Sequence, residues 1–163
     1  MIACLGLLLA LGGEPWSEDA AASQARSFQS AQWVTTTHMA EVAAPVVTQL
    51  HARVAARIAD HGGAFNPTDV QAGEDVPRVR LVLAGHSGSR WFVCLEVGGV
   101  AHALYFTMFE VANESARLLL FGRGNVKHSE TPEGWSVDVA ELKSAFRERR
   151  LTPVDPTPYL LKE

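Results

Sequence analysis

Ser87 is the first residue whose setting suggests chemistry, because it lies in the stretch Gly85-His86-Ser87-Gly88 at the end of an apolar run. In hydrolases the pattern G-x-S-x-G holds a nucleophilic serine on a sharp turn between a strand and a helix. Here Ser89 occupies the fifth position of that pattern, and the residues after it have the β-branched and aromatic side chains typical of a strand. We therefore interpret residues 85–89 as the turn of a hairpin and expect no catalytic residue there.

His102 is the second candidate, since it lies on the predicted core face of a strand. The simpler interpretation is a buried, neutral histidine with one hydrogen-bond partner. The alternative is a small-molecule cavity between sheet and helix, with or without enzymatic activity, whose mouth is lined by His102, Glu110 and Arg117. His51 and His61 are ten residues apart, about 80° off a common line on a helix, so they do not share one helix face as metal ligands. We expect neither a metal nor a cofactor.

Length and composition favour a single globular domain without a nucleic-acid partner. The chain has 163 residues, of which 47% are hydrophobic and 20% charged, and its formal net charge is −4. The 14 basic residues are scattered, and the run Arg147-Glu148-Arg149-Arg150 is placed to offset the dipole at the end of a helix. The two cysteines, Cys4 and Cys94, form no cluster of the kind that binds zinc.

Residues 1–12 form the most hydrophobic segment of the chain. Its run of about ten apolar residues is too short to span a bilayer and fits the core of a signal peptide, with Ala10 and Gly12 before the cleavage site. Because no basic residue precedes the run, a packed terminal helix or strand is the alternative. A signal peptide would predict an exported protein, periplasmic or secreted, whereas a packed terminal segment would predict a cytoplasmic one. Both predict no integral membrane segment.

The rest of the chain is predicted to divide into an arm, one domain and a tail. Residues 13–37 predict an N-terminal arm or a loosely held helix capped by Ser17, because they contain few large apolar side chains. Residues 38–152 predict a single α+β domain. Residues 153–163 contain three prolines and predict an extended, proline-rich tail.

Two helices are predicted within the domain. A long helix over 45–61 has apolar residues at three- and four-residue steps and ends at Gly62-Gly63. A C-terminal helix begins after Asp138, which stands at the N-cap position of an acidic capping box. The apolar stripe of the long helix, which we expect to cover a sheet, consists of Val47, Leu50, Val54 and Ile58.

Between the helices the hydrophobic period changes to two, which predicts an antiparallel meander. Its turns are residues 85–89, the two-residue turn Gly98-Gly99, and residues 112–115, and a shorter hairpin is predicted around Thr131-Pro132-Glu133-Gly134. The four strands are 78–84, 90–97, 100–111 and 116–122.

These turns set a register that places one large apolar set on a single sheet face. The same register pairs Val97 with Val100 and Glu110 with Arg117. The predicted inner face consists of Val79, Leu81, Leu83, Trp91, Val93, Leu95, Val97, Leu104, Phe106, Met108, Leu119 and Phe121.

The second face of the predicted meander is too apolar for solvent at its third and fourth strands. Our first functional hypothesis is therefore a non-catalytic binding or accessory module that uses this face for a protein partner or for homodimerisation. The alternative is the small-molecule pocket near His102. The residues predicted to bind the partner are Phe92, Tyr105, Phe109, Leu118 and Leu120.

Overall fold

The computed structural model describes residues 17–54, 57–68, 76–99, 103–131 and 134–155. Within these ranges the protein is an α+β structure in which helices cover both faces of a mostly antiparallel, seven-stranded sheet. The predicted fold class is confirmed, whereas the predicted number of four strands is wrong. The predicted signal peptide and most of the predicted tail lie outside the described residues.

The main sheet has the order β1-β3-β4-β5-β6-β9, and β2 pairs with β3 in parallel. A separate hairpin, β7–β8, confirms the short hairpin predicted from the sequence. The strands are β1 (Val34–Thr36), β2 (Ile58–Ala59), β3 (Val79–Ser87), β4 (Arg90–Val97), β5 (Ala103–Ala112), β6 (Ser115–Gly124), β7 (Ser129–Thr131), β8 (Gly134–Ser136) and β9 (Leu151–Pro153). The α-helices are α1 (Glu18–Ser30), α2 (Ala44–Arg53) and α3 (Val139–Arg147), and a short 3-10 helix spans Met39–Glu41.

Helix α1 belongs to the core, although the sequence predicts a loosely held segment there. Ser17 caps the helix, and its hydroxyl accepts a hydrogen bond of 3.2 Å from the Ala20 amide. The one large apolar residue of the helix, Phe28, is fully buried (0% exposed) among aromatic rings of the sheet and of α3. The Phe28 ring attaches the helix together with the buried Ala21 and Ala25, so a count of large apolar residues underestimates its attachment.

Helix α2 is shorter than the predicted helix over 45–61 and ends at Arg53. Val46 and Leu50 bury its apolar side against the sheet. Ile58, the last residue of the predicted stripe, lies instead in β2 and pairs with β3. Helical spacing of apolar residues did not reveal this end, because a β-branched residue can bury the same side chain from a strand.

The stretch around Ser87 forms a hairpin, as the sequence predicts, but its turn is shorter. Ser87 is the last residue of β3 and lies opposite Arg90, so Gly88 and Ser89 form a two-residue turn. A β-bulge just before Leu83 rotates this side chain to the face opposite the predicted one.

Gly98 and Gly99 do not form the predicted two-residue turn. The Gly98 amide donates to the Arg78 carbonyl at 2.8 Å, and the Gly99 amide donates to the Pro67 carbonyl at 3.1 Å. A Cβ atom at Gly98 would lie 2.1 Å from the carbonyl oxygen of Asn66. Glycine is therefore needed here because another backbone approaches closely, not because the chain reverses.

The consequence is a different register between β4 and β5. Val97 lies opposite Ala103 instead of Val100. A shift by an odd number of residues turns every side chain of β5 to the other face. Trp91 and Phe106, which the sequence predicts on one side of the sheet, therefore lie on opposite sides.

The predicted single core is thus divided into two cores, on what we call the α1/α3 face and the α2 face of the sheet. Both alternating sets of side chains on β5 are largely apolar, so the period of two does not indicate which set faces which helix. Phe121 packs beside Tyr105. Of the remaining predicted residues, the α2 face has Val79, Leu81, Trp91, Val93, Leu95 and Val97, and the α1/α3 face has Leu83, Leu104, Phe106, Met108 and Leu119.

The hairpin of β5 and β6 confirms one predicted pair and changes its neighbours. Glu110 lies opposite Arg117, and a distance of 2.9 Å separates the carboxylate oxygen from the guanidinium nitrogen. A β-bulge next to this pair places Met108 opposite Leu120 rather than Leu119.

Helix α3 confirms the predicted C-terminal helix and its cap. The Asp138 carboxylate accepts a hydrogen bond of 2.7 Å from the Glu141 amide. At the other end the Arg150 amide donates to the Ala145 carbonyl at 2.9 Å, and the Arg149 amide donates to the Phe146 carbonyl at 3.3 Å. These two bonds form a Schellman motif, in which Arg149 takes the left-handed conformation (φ 56°) that favours glycine.

Replacing Arg149 by glycine should raise the free energy of unfolding by about 0.5–1 kcal/mol, because the relief of left-handed strain exceeds the entropy that glycine gains in the unfolded chain. Chemical denaturation measures the change. Arg147→Gly is the matched control, since the same residue type inside the last helical turn should lose about 1 kcal/mol. Equal effects of the two changes would contradict the prediction.

Candidate functional site

The five residues predicted to bind a partner do not share a face. Phe92 and Leu120 are buried on the α1/α3 face, while Phe109 is buried on the α2 face, where Tyr105 and Leu118 are partly buried. The predicted common surface is wrong because it depended on the register of β5. Each set also packs beneath a helix, so a partner could reach the buried rings only by displacing that helix.

The residues predicted for the alternative pocket are not brought together either. His102 lies outside the described residues. Glu110 is seven residues along β5 from Ala103, which corresponds to about 23 Å of strand, and Arg117 pairs with it at that far end. Ser87 is followed directly by a turn and a strand, so the helix that a nucleophile elbow needs is not there.

A cavity of about 260 Å³ lies where β5 begins and β6 ends, beneath the β7–β8 hairpin. It is adjacent in the chain to the predicted position, because its lining begins at Ala103, the residue after His102. Arg123, Asn125 and His128 supply polar groups to the lining. The described lining residues are Ala103, Leu104, Arg123, Gly124, Asn125, Val126, His128 and Trp135.

His128 is held in a fixed orientation at this cavity. Its Nδ1 atom is 3.1 Å from the Val126 carbonyl oxygen, which can only accept, so Nδ1 carries the hydrogen. The imidazole also stacks on the indole of Trp135, with ring centroids 4.0 Å apart and planes at 23°. In the neutral ring Nε2 is then the hydrogen-bond acceptor. The site thus presents one oriented acceptor on an aromatic support.

The cavity wall that contains Asn125 is hydrogen-bonded to helix α3 and to the residues that follow it. The Asn125 amide donates to the Arg150 carbonyl at 2.9 Å, and the Arg150 guanidinium donates to the Asn125 carbonyl at 3.1 Å. The same guanidinium reaches Glu141 at 2.8 Å, and Glu141 also accepts from the Lys127 amide. Burial alone would raise the pKa of the Glu141 carboxyl, but the hydrogen bonds from Arg150 and Lys127 lower it overall. These bonds therefore stabilise the wall at neutral pH and are lost as acid protonates Glu141.

The sequence alone did not reveal this site, for a physical reason. The predicted fourth strand ends at residue 122, whereas β6 continues through Gly124. His128 directly precedes β7 of the short hairpin that the sequence does predict, and Trp135 lies within β8, so the two rings meet because β7 and β8 pair. The spacing of an aromatic residue and a histidine across that hairpin is the one signal in the sequence that points to the contact.

Cys94 is a buried thiol on the α1/α3 face. Burial raises the pKa of this thiol far above its ordinary value, because the thiolate would lose its hydration. Among the described residues, no group of three metal-ligating side chains is arranged to hold an ion.

In a Cys4→Ser variant we expect Cys94 to react with a disulfide reagent at least about a thousandfold more slowly in the folded than in the denatured protein. The thiolate is the reactive form, and opening a core strand costs about 5 kcal/mol or more. The absorbance of the coloured thiol that the reagent releases at pH 8 measures the reaction rates of the folded and the denatured protein. Similar rates with and without denaturant would show that β4 opens readily.

No helix in the described part of the chain is both long and apolar enough to cross a membrane. Comparisons with protein families, with curated proteins and with solved structures found no match.

Proposed function

We propose that the protein is a non-catalytic binding module whose ligand is a small polar molecule held in the cavity under the β7–β8 hairpin. The observation that carries the proposal is the oriented His128 imidazole, tied to Val126 and stacked on Trp135 at a concave surface. Both sheet faces are covered by helices, which supports a pocket rather than an open sheet face as the binding surface.

Cavity size and lining chemistry limit the ligand. A cavity of about 260 Å³ is below the range of about 300–1,000 Å³ typical of drug-sized ligands, so the ligand is smaller than those. Nε2 of His128 accepts a hydrogen bond, which favours a hydroxyl or amine donor on the ligand. Asn125 contributes an amide to the lining. Arg123, whose guanidinium carbon lies 5.6 Å from the centre of the Tyr105 ring, adds positive charge near the cavity, which favours a carboxylate or another acidic group. Small hydroxy acids and amino acids combine these groups.

Binding is a better proposal than catalysis for this site. None of the described lining residues carries a hydroxyl, thiol or carboxylate group. His128 therefore has no nucleophile to activate and no acidic partner within the lining. One imidazole can bind and orient a ligand without either.

The test is a titration with a panel of small hydroxy acids, amino acids and simple carboxylates, followed by ¹H–¹⁵N NMR. We expect at least one compound to shift the signals of Asn125, His128 and the Trp135 indole together. His128→Ala should weaken that binding about two- to tenfold, the value of one hydrogen bond. His51→Ala is the control, since His51 is exposed on α2, and it should leave binding unchanged. A panel that shifts none of the three signals would refute the proposal.

Self-association is a second candidate, because β1 lies at the edge of the sheet and its Val34 is 65% exposed. A second copy of the chain could pair with this edge in the manner of strand addition. Sedimentation equilibrium should then give a dimer that Val34→Lys converts to a monomer, while Gln32→Lys does not. A wild-type protein that is monomeric at all concentrations would exclude this candidate.

A further inference from the structure

We propose that the buried ion pair of Arg80 and Glu96 positions the β7–β8 hairpin and so determines the shape of the cavity. The inference rests on the proposed function, because positioning the hairpin matters for binding only if the cavity next to His128 and Trp135 holds a ligand. The proposed positioning itself is tested without any ligand.

The pair lies between β3 and β4 on the α1/α3 face, and both side chains are almost completely buried (10% and 2% exposed). Nε of Arg80 is 3.1 Å and Nη2 is 2.5 Å from Oε2 of Glu96. The guanidinium carbon also lies 4.4 Å from the centre of the Phe65 ring. Two hydrogen bonds and a ring therefore fix the plane of the guanidinium.

Gly134, the first residue of β8, lies directly against this guanidinium. A Cβ atom at Gly134 would be 1.9 Å from Nη2 of Arg80, and the residue has a φ of 110°. The guanidinium thus occupies the space that a side chain of β8 would need. Its fixed position sets how closely β8 approaches the sheet.

The contact between Gly134 and Arg80 also positions the cavity wall that contains Trp135. Trp135 follows Gly134 directly, and its ring supports His128. The segment is anchored at both ends by the buried Val126 and Val137. Between those anchors, residues 127–130 are exposed. Trp135 packs against the core of the α1/α3 face, and Gly134 lies against Arg80, so the contact with Arg80 is one of the described contacts that set the height of β8 over β3.

The nature of the pair supports positioning over a purely stabilising role. A buried ion pair loses much of its electrostatic attraction to desolvation, and apolar residues of similar volume often stabilise a protein equally well. An aliphatic side chain at position 80 could change its rotamer, whereas a guanidinium with two hydrogen bonds to one carboxylate cannot do so without breaking them.

The experiment compares Gly134→Ala with Gly99→Ala by amide hydrogen exchange. Both glycines have a similar positive φ (110° and 124°), but a Cβ at Gly99 would meet no described atom within 4 Å. Both changes therefore introduce backbone strain, and only Gly134→Ala pushes against Arg80. We expect exchange at the β7–β8 amides to rise at least tenfold in Gly134→Ala, with a shifted Trp135 indole signal. In Gly99→Ala the hairpin should exchange as in the wild type. Equal exchange in the two variants would overturn the inference.

The double variant Arg80→Leu/Glu96→Leu provides an independent test should Gly134→Ala not fold. Replacing both partners leaves no buried charge unpaired, so the fold should persist while the β7–β8 amides exchange at least tenfold faster. Unchanged hairpin exchange in a folded double variant would also overturn the inference, even if small acids bind the wild type. Faster exchange combined with no binding of any panel compound by the wild type would support the inference and refute the proposed function.

Discussion

Arg80→Met should lower the free energy of unfolding by about 3–5 kcal/mol, because it leaves the Glu96 carboxylate buried without the guanidinium. The carboxylate oxygen now lies 2.5 Å from Nη2 of Arg80, and its own side chain is 2% exposed. Methionine fills part of the volume but offers no hydrogen-bond donor. Chemical denaturation, with linear extrapolation of the free energy of unfolding to zero denaturant, measures the loss.

Two variants make the cause of this loss testable. Arg117→Met removes the partner of Glu110 in a pair whose side chains are 60% and 37% exposed, and it should cost less than about 1 kcal/mol. Adding Glu96→Leu to Arg80→Met should recover most of the stability, since the buried charge is then gone. If the double variant is as unstable as Arg80→Met, lost packing rather than the lost bonds between the guanidinium and the Glu96 carboxylate is responsible.

Phe28→Ala should lower the free energy of unfolding by about 3–5 kcal/mol, the usual result of removing a fully buried ring. The ring centroid of Phe28 lies 4.8 Å from that of Phe106, 5.3 Å from that of Phe92 and 5.6 Å from that of Phe146. The change therefore leaves a cavity between α1, the sheet and α3. It also removes edge-to-face ring contacts worth about 0.5–1.5 kcal/mol each.

Val34→Ala is the control for Phe28→Ala, because it truncates an apolar residue that is 65% exposed, and it should change stability by less than about 0.5 kcal/mol. Both are measured by denaturant titration under the same conditions. A loss below about 1 kcal/mol for Phe28→Ala would mean that α1 contributes little to the core. The sequence-based prediction of a loosely held helix would then be the better description.

Local features of this fold were predictable because each depends on a few neighbouring residues. Asp138 caps α3 through a bond to the amide three residues later, and Ser17 caps α1 in the same way. The hairpin that follows Ser87 and the pairing of Glu110 with Arg117 are likewise set by short turns. In each case the alternative conformations of the backbone differ only over a few consecutive residues.

The register of β5 was not predictable from the same kind of reasoning. Gly98-Gly99 has the composition of a tight turn, but its amides bond to Arg78 and Pro67, which are far away in sequence. Only the approach of the loop at residues 66–67 shows that glycine is required for space there. Glycine is typical both of a tight turn and of a close contact between two backbones, so the sequence does not distinguish the two.

Local patterns in the chain are sufficient to predict the α+β class, the alternation that marks the strands, the helix caps and the apolar character of both sheet faces. Long-range contacts determine which side chains share a face, and they bring His128, Trp135 and Arg123 to one cavity. The physical reason is that both alternating sets on the central strands are apolar, so either register buries hydrophobic surface. The choice between registers comes from backbone contacts between distant segments, which leave no periodic pattern in the chain.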